Sequence, residues 1–465
     1  MRIKLRLTET DHAKLQHHLL PGDGLEAVAV VLCGRRKSDS HHCLTVRSVV
    51  PIPYDECKVR TPDRVTWSTQ RLIPLLEEAA RYDLAILKIH SHPGGYPHFS
   101  STDDESDSDL FNSVFGWTDS EYPHASAVML PDGRMFGRAI LRDGAFQQLD
   151  SILVPGNDLR FWIPEGGGTL PSFTQRHAQL FGSGTTRRLR EMAVAVIGCS
   201  GTGSPLIEQL ARLGVGRLVL VDPDRVEEKN LNRIVNATRE DAYLGRPKVV
   251  AMARAIAAMG FATDLEIIPE NLATPRAVKA VAECDVVFGC MDGVEGRHLL
   301  NRLAAFYVLP YFDVGVRLEA NGYGGIDEAS GAVFYIRPDG STLQDRNVYD
   351  SEQLRAAGLR RTDPRAYREQ VRAGYIRGVN EDRPAVISVN MQMASTAVNE
   401  FLARLHPYRW DDNADFGTVR TSFIQGANYL ERDGDASGMF FRHIGKGDVR
   451  PLLSMPELSE VEVAR

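Results

Sequence analysis

Residues 192–224, "MAVAVIGCSGTGSPLIEQLARLGVGRLVLVDPD", restrict what this chain can fold into more than any other stretch. "AVAVIG" is apolar without alternation, as a parallel strand buried on both faces requires. A glycine turn follows, then a helical run whose Leu206, Leu210 and Leu213 share one face, then a second apolar strand closed by Asp222. Strand, turn, helix and strand in that order predict a βαβ unit of a Rossmann-like sheet. Gly198, Gly201 and Gly203 follow G-x-x-G-x-G spacing and depart from G-x-G-x-x-G, because Ser200 holds the second glycine position. Asp222 stands nineteen residues beyond Gly203, where a carboxylate can bind a ribose hydroxyl.

An NAD(P) dehydrogenase would begin in much the same way, so the residues that follow carry the distinction. "DPDRVEEKNLNR" supplies Asp222, Asp224, Asn230 and Arg233, "LGRPKVVAMARAI" puts Lys248 on the next helix, and "CDVVFGCMDG" is expected to end a buried strand in Asp292. Two acids, an amide and two cations around a glycine turn suit a triphosphate with Mg²⁺ better than a dinucleotide, since Mg²⁺ takes oxygen ligands and phosphate oxygens. As an ordered set over residues 172–430, these motifs resemble the ThiF-like adenylyltransferase domain of ubiquitin-activating enzymes and of thiamine and molybdopterin sulfur-carrier activation. The resemblance implies ATP held at Gly198, Gly201 and Gly203, with Asp222 on the ribose and Arg233 and Lys248 on the phosphates. It also implies Asp292 on Mg²⁺, and Asp224 and Asn230 completing the pocket. The segment "FTQRHAQLFGSG" resembles the part of such enzymes that sends an arginine into the partner's ATP site, which makes Arg176 the candidate and a homodimer the expected assembly.

The second informative stretch is "KIHSHPGGYPHFSSTDDES", residues 88–106. His90 and His92 are two apart, so on an extended strand they point to the same side. "PGGYPH" reads as a turn, and the Ser, Thr and Asp that follow read as a helix start with Asp103 in its first turn, facing the imidazoles. Two neutral imidazoles and a carboxylate make a three-ligand set for Zn²⁺ with a fourth position left over. Upstream, "LEAVAVVLCG" reads as a buried strand with one carboxylate, Glu26, at its start. Glu26 with His-x-His-x7-Ser-x2-Asp resembles the JAMM/MPN+ metallopeptidase family. That resemblance covers roughly residues 1–150 and implies an N-terminal JAB/MPN domain of cytidine-deaminase-like α/β fold. It implies His90, His92 and Asp103 as Zn²⁺ ligands, Glu26 as general acid/base and Ser100 on the oxyanion of the tetrahedral intermediate.

The 465 residues suffice for two or three domains. "PGNDLRFWIPEGGGTLPS" breaks all periodicity, so the expected division is a peptidase domain at 1–155, a linker at 156–171, an adenylation domain at 172–435 and a C-terminal extension at 436–465. A net charge of −7 without a basic stripe argues against nucleic acid as the main partner. No apolar run approaches a membrane span. Six cysteines without a CxxC suggest reduced thiols and a cytoplasmic setting. No cysteine follows Cys290, so the crossover cysteine of many activating enzymes is missing, and Ser341 and Thr342 stand in the corresponding stretch. A buried structural thiol is the expected state of every cysteine. Together the halves read as a bacterial-type α/β fusion acting on the C-terminal tail of a ubiquitin-like, β-grasp modifier. One half would adenylate its terminal glycine, and the other would cleave after the tail, with a conjugating enzyme or another acyl acceptor as partner. The rival readings are a sulfur-carrier activating enzyme and a non-catalytic scaffold.

Overall fold

Along the strand Val28–Lys37 successive side chains point to opposite faces of the sheet, and both faces are apolar. Ala29, Val31 and Cys33 join a buried cluster with Leu15, Leu87 and Ile89. Val28, Val30 and Leu32 join another with Leu72, Leu76, Ile86 and Phe111. A strand buried on both sides has to lie inside a sheet. In the computed structural model, which describes residues 1–166, 169–373 and 384–459, it sits near the middle of a nine-stranded mixed sheet. The order from one edge is Leu159–Trp162, Ser151–Pro155, Arg2–Arg6, His41–Pro51, Val28–Lys37, Ala85–Ser91, His124–Met129, Met135–Ile140 and Phe146–Gln148. Helix Glu9–Leu19 contributes Leu15 to the first cluster, and helices Leu72–Tyr82 and Ser101–Thr118 contribute Leu72, Leu76 and Phe111 to the second.

Register does the positioning. Val28 is paired with His90 in the antiparallel ladder between Val28–Lys37 and Ala85–Ser91, and continuing it by two residues sets Glu26 opposite His92. The strand expected from Leu25 begins only at Val28, so Glu26 lies just ahead of it. Its backbone is tied down there, with its N–H donating to Thr61 O at 2.9 Å and its carbonyl accepting from Arg60 Nε at 2.9 Å.

The chain divides into two compact units, the first comprising residues 1–168 with 305–308 and 441–465, the second the remainder. Within the stretch expected to be linker, residues 159–162 form an edge strand antiparallel to Ser151–Pro155. Alternating burial of Leu159 and Phe161 draws it into the sheet despite the nearby prolines and glycines. Residues 167–168 of that linker and 460–465 of the expected extension lie outside the described residues.

The second unit is built on an eight-stranded sheet in the order Asp264–Ile268, Arg217–Val221, Ala193–Ile197, Val286–Gly289, Tyr311–Ala320, Ile326–Ile336, Thr418–Ser422 and Ala427–Glu431. The first five strands are parallel and the last three antiparallel, which makes this an α/β sheet extended by a meander. Ala193–Ile197 is central and fully buried, as its unbroken apolar run demands. The expected helix is Gly203–Arg212, with Leu206 and Leu210 buried and Leu213 half-buried just past its end. One expectation is corrected: the strand after Cys284 ends at Gly289, so Asp292 lies in the exposed loop beyond it. Among the described residues, no helix is long and apolar enough to cross a membrane.

Phe111 is 1% exposed in the second cluster of the first unit. Phe111→Ala should cost about 3–5 kcal/mol, read as a fall in the urea midpoint of that unit at unchanged m-value.

Candidate functional site

Strand Ala85–Ser91 delivers His90, and His92 follows directly after it on the same side. Helix Ser101–Thr118 delivers Asp103 from its first turn, where Ser100 as N-cap and Asp103 exchange capping-box hydrogen bonds. His90 Nε2 lies 2.9 Å from Asp103 Oδ1, His92 Nε2 lies 3.6 Å from Asp103 Oδ2, and the two Nε2 atoms are 3.1 Å apart. Ligand atoms around a tetrahedral Zn²⁺ with bonds of about 2.0–2.1 Å stand roughly 3.3 Å from one another, so the two ring nitrogens and the Asp103 carboxylate lie at the spacing of a metal-binding face. A carboxylate oxygen of Glu26 joins the ring nitrogens of His90 and His92 within 4.8 Å of one another. His92 Nδ1 donates to Tyr96 O at 2.8 Å. That bond leaves Nε2 as the nitrogen facing the centre. Against the pull of burial, Asp103 and Glu26 raise His92 above its usual range. Nε2 therefore donates to Asp103 while protonated and offers its lone pair to a metal once that proton is gone. The donor set and its spacing therefore fit Zn²⁺.

All four groups are buried, and burial acts on each according to its charge. It lowers His90 below the usual histidine range, favouring the neutral imidazole a metal needs. It lifts the Glu26 carboxyl to about 7, with Asp103 reinforcing and His92 opposing. Burial would raise Asp103 too, but hydrogen bonds from His90 and His92 hold it well below the carboxylate range. Ser100 adds to this, since its hydroxyl and its N–H each donate to Asp103 Oδ2 at 2.7 Å. The hydroxyl expected to face an oxyanion is here committed to a carboxylate.

A second rung behind the site escaped sequence reasoning. Lys88 and Asp107, each one repeat along from His90 and Asp103, pair at 2.8 Å. Arg138 reaches the other oxygen of Asp107 with Nη2 at 2.7 Å and Nε at 3.2 Å. Lys88 shares a face of the strand with His90 and Asp107 follows Asp103 by one helical turn, so the spacing was visible and the contact was not. Two cations on a fully buried carboxylate hold the start of the helix against the strand, and with it Asp103 against the imidazoles.

In the second unit the glycine turn is shaped by close backbone contact. Gly198 has φ +94°, and a Cβ on Gly203 would lie 1.8 Å from Gly198 O. Asp222 is buried, its Oδ2 accepting from Cys199 N at 2.7 Å and its Oδ1 from Asp224 N at 2.8 Å. Burial pushes its carboxyl up. Lys248 Nζ contacts Asp224 Oδ2 at 2.7 Å, so the cation is held over the turn by a carboxylate. Asn230 Oδ1 accepts from Glu227 N at 3.1 Å, which makes it a loop staple in this structure. Arg233 is half-buried, with its Cδ 3.3 Å from where a Gly201 Cβ would stand. Asp292 is exposed, and Arg176 is exposed on helix Gln175–Glu191.

Ser341 and Thr342, which stand where the crossover cysteine is missing, are both tied into side-chain networks. Ser341 is fully buried, donates to Asp433 Oδ1 and accepts from Arg346 Nε at 2.8 Å. Arg346 also bonds the same carboxylate oxygen at 2.8 Å. A hydroxyl enclosed in that network is a structural hydrogen bond, out of reach of an acyl group. Thr342 is likewise occupied, with Oγ1 donating to Asp345 Oδ2 at 3.0 Å. Among the cysteines, five are buried as expected, but Cys57 is only half-buried. It lies on the two-stranded ribbon of residues 57–61 and 64–67, which packs against the second apolar cluster without being fully covered by it.

Residues 174–423, more than half of the chain, match the ThiF family, and residues 9–138 match the prokaryotic homologs of the JAB domain. The chain belongs to the ThiF family, joined here to a JAB domain. The mouse (Mus musculus) "Adenylyltransferase and sulfurtransferase MOCS3" is 42% identical over 114 residues, 24% of this chain and 24% of that protein. The "SAMP-activating enzyme E1" of Haloferax volcanii is 32% identical over 153 residues, 33% of this chain and 52% of that one. The chain thus spans between a quarter and about half the length of these curated relatives. The crystal structure of E. coli MccB with ATP covers 58% of this chain and 74% of its own at 16% identity and a TM-score of 0.44, a likeness too distant to bear on function.

Exposure separates the six thiols. In the native protein a maleimide should label Cys57 alone, at about one per chain, and labelling should vanish in Cys57→Ser when followed by mass spectrometry.

Proposed function

We propose that this chain activates a ubiquitin-like modifier with ATP and cleaves peptide or isopeptide bonds after the same modifier's tail. The observation that carries the first half is the convergence of Asp222, Lys248 and Arg233 on the Gly198–Gly203 turn inside a ThiF-family sheet. In this reading the modifier's terminal glycine carboxylate attacks the α-phosphorus of ATP. The bond from that phosphorus to the bridging oxygen breaks, and pyrophosphate leaves. Asp222 accepts from the ribose hydroxyls with the lone pairs its backbone bonds leave free. Lys248 exchanges Asp224 for the phosphates, and Arg233 neutralises charge on the departing pyrophosphate. Asp292 would hold Mg²⁺, which neutralises phosphate charge when bound. Exposure of Arg176 supports a role in trans, reaching the nucleotide of a second copy in a homodimer. Asp224 and Asn230 keep the loop around the nucleotide in shape.

The second half rests on the meeting of Glu26, His90, His92 and Asp103. The two histidines and Asp103 would hold Zn²⁺, which polarises a scissile carbonyl and acidifies water when bound. Glu26, buried and lifted toward neutrality, takes the proton of the attacking water and returns it to the leaving amine. Ser100 keeps Asp103 oriented, and its hydroxyl would serve the oxyanion only by turning away from that carboxylate.

We place the chain in a bacterial cytoplasm, with a peptidase domain that takes in the edge strand Leu159–Trp162 beyond the expected boundary at 155, and an adenylation domain at 172–435. Burial of Ser341 and of the thiols nearest the turn supports direct transfer of the acyl-adenylate to a partner, a conjugating enzyme or another acceptor. The likeness to an adenylyltransferase and sulfurtransferase favours a second reading, in which sulfide or persulfide captures the adenylate on a sulfur carrier. A non-catalytic scaffold would have no use for two complete residue sets.

ATP–pyrophosphate exchange should depend on Mg²⁺ and on a modifier ending in glycine, and Lys248→Ala and Asp292→Ala should abolish it. Exchange persisting in Lys248→Ala sinks the assignment. Glu26→Gln should keep its zinc by metal analysis yet cleave about 10²–10⁴-fold more slowly, whereas His92→Ala should lose the metal. Wild-type cleavage by Glu26→Gln would remove the carboxylate from the reaction.

A further inference from the structure

Three elements meet at Gly201: the glycine turn, the Asn230–Arg233 segment and the first turn of helix Ile387–Leu405. A Cβ on Gly201 would lie 2.3 Å from Asn390 Nδ2 and 3.3 Å from Arg233 Cδ. A side chain here would collide with the amide, so glycine at this position keeps Asn390 beside the turn. Asn390 is only 5% exposed, and among the described residues its side chain has no hydrogen-bond partner. Its own N–H is spent on Val386 O at 3.1 Å. A primary amide carries two donors, and with no partner among the described residues both are available to a ligand beside the turn.

The surroundings indicate what would satisfy it. The helix runs nineteen residues from Ile387 to Leu405, its N-cap Val386 offers no side-chain acceptor, and no acid stands in its first turn. Its first N–H groups therefore have no intrahelical or capping partner, and the helix dipole places positive charge there. Helix Gly203–Arg212 also starts without a side-chain cap or an acid, and it lies against Ile387–Leu405. The ribose end of the turn is marked by Asp222 bonding Cys199 N. Gly201 lies further along, toward the start of Gly203–Arg212 and beside Arg233. Two uncapped helix starts, an arginine and an unpaired amide form an anion site.

We propose that Asn390 donates its side-chain amide to the polyphosphate of the bound nucleotide, and that helix Ile387–Leu405 presents a second phosphate-facing terminus across from Gly203–Arg212. This rests on the nucleotide reading above and extends it to a residue more than 150 positions beyond the last motif glycine. Asn390 is a binding residue here, and Gly201 is the position that makes room for it.

The test is calorimetric titration of the full chain with ATP and with adenosine, each in the presence of Mg²⁺. Asn390→Ala should weaken ATP by about 10-fold or more, the size of one hydrogen bond to a charged group, and leave adenosine within twofold. Asn390→Asp is nearly isosteric, so it keeps the fit against Gly201 while facing the phosphates with a negative charge. It should weaken ATP further still and also spare adenosine, with the thermal midpoint of each variant checking that it is folded. Unchanged ATP affinity in a folded Asn390→Asp, or equal losses for ATP and adenosine, would overturn the proposal while leaving the nucleotide site standing. Failure of the wild-type chain to bind ATP would overturn both.

Discussion

The first unit depends on one register, that of Val28 against His90. A strand buried on both faces tolerates no slip, because a shift of one residue turns every side chain to the opposite face. In Val28–Lys37 a slip would exchange the partners of both apolar clusters at once. The same ladder, continued by two residues, puts Glu26 beside His92. The carboxylate is thus brought to the imidazoles by the constraint that builds the core, and it arrives in a place dry enough to hold its carboxyl near neutrality.

The second unit is organised by an approach of backbone to backbone. Only because Gly203 lacks a side chain can the helix begin against Gly198 O, and only at positive φ can Gly198 turn the chain from strand to helix. That contact leaves room for Asp222 to hold the turn by the Cys199 N–H and for Asn390 to come up to Gly201. The Lys248–Asp224 pair is the electrostatic counterpart of the same arrangement. Removing a lysine from water is costly, and the neighbouring Asp224 carboxylate offsets the charge of Lys248.

Both units use carboxylates to aim other groups. Asp103 is oriented by Ser100, and Asp107 is clamped by Lys88 and Arg138. Asp433 is enclosed by Ser341, Arg346 and Arg337. Sequence spacing reveals the first of these because Ser100 and Asp103 are three apart in a capping box. It cannot reveal the third, whose members are separated by up to 96 positions.

What the chain settles by itself is what depends on near neighbours. The all-apolar run of Ala193–Ile197 requires a doubly covered strand, the glycine spacing requires a tight turn, and His-x-His puts two imidazoles on one side. Ser100 and Asp103 start a helix wherever the rest of the chain goes. These periods of two and of about 3.6 are local geometry, while the ThiF and JAB patterns were legible through the resemblance of the ordered motifs to known families. The tertiary structure decided what depends on distant partners: that Ser341 is enclosed, that Cys57 is half-open, that a strand forms at Leu159–Trp162, that Lys88 braces the helix carrying Asp103, and that Asn390 reaches Gly201. Burial and unsatisfied hydrogen bonds belong to the folded surroundings of a group and not to its neighbours in the chain.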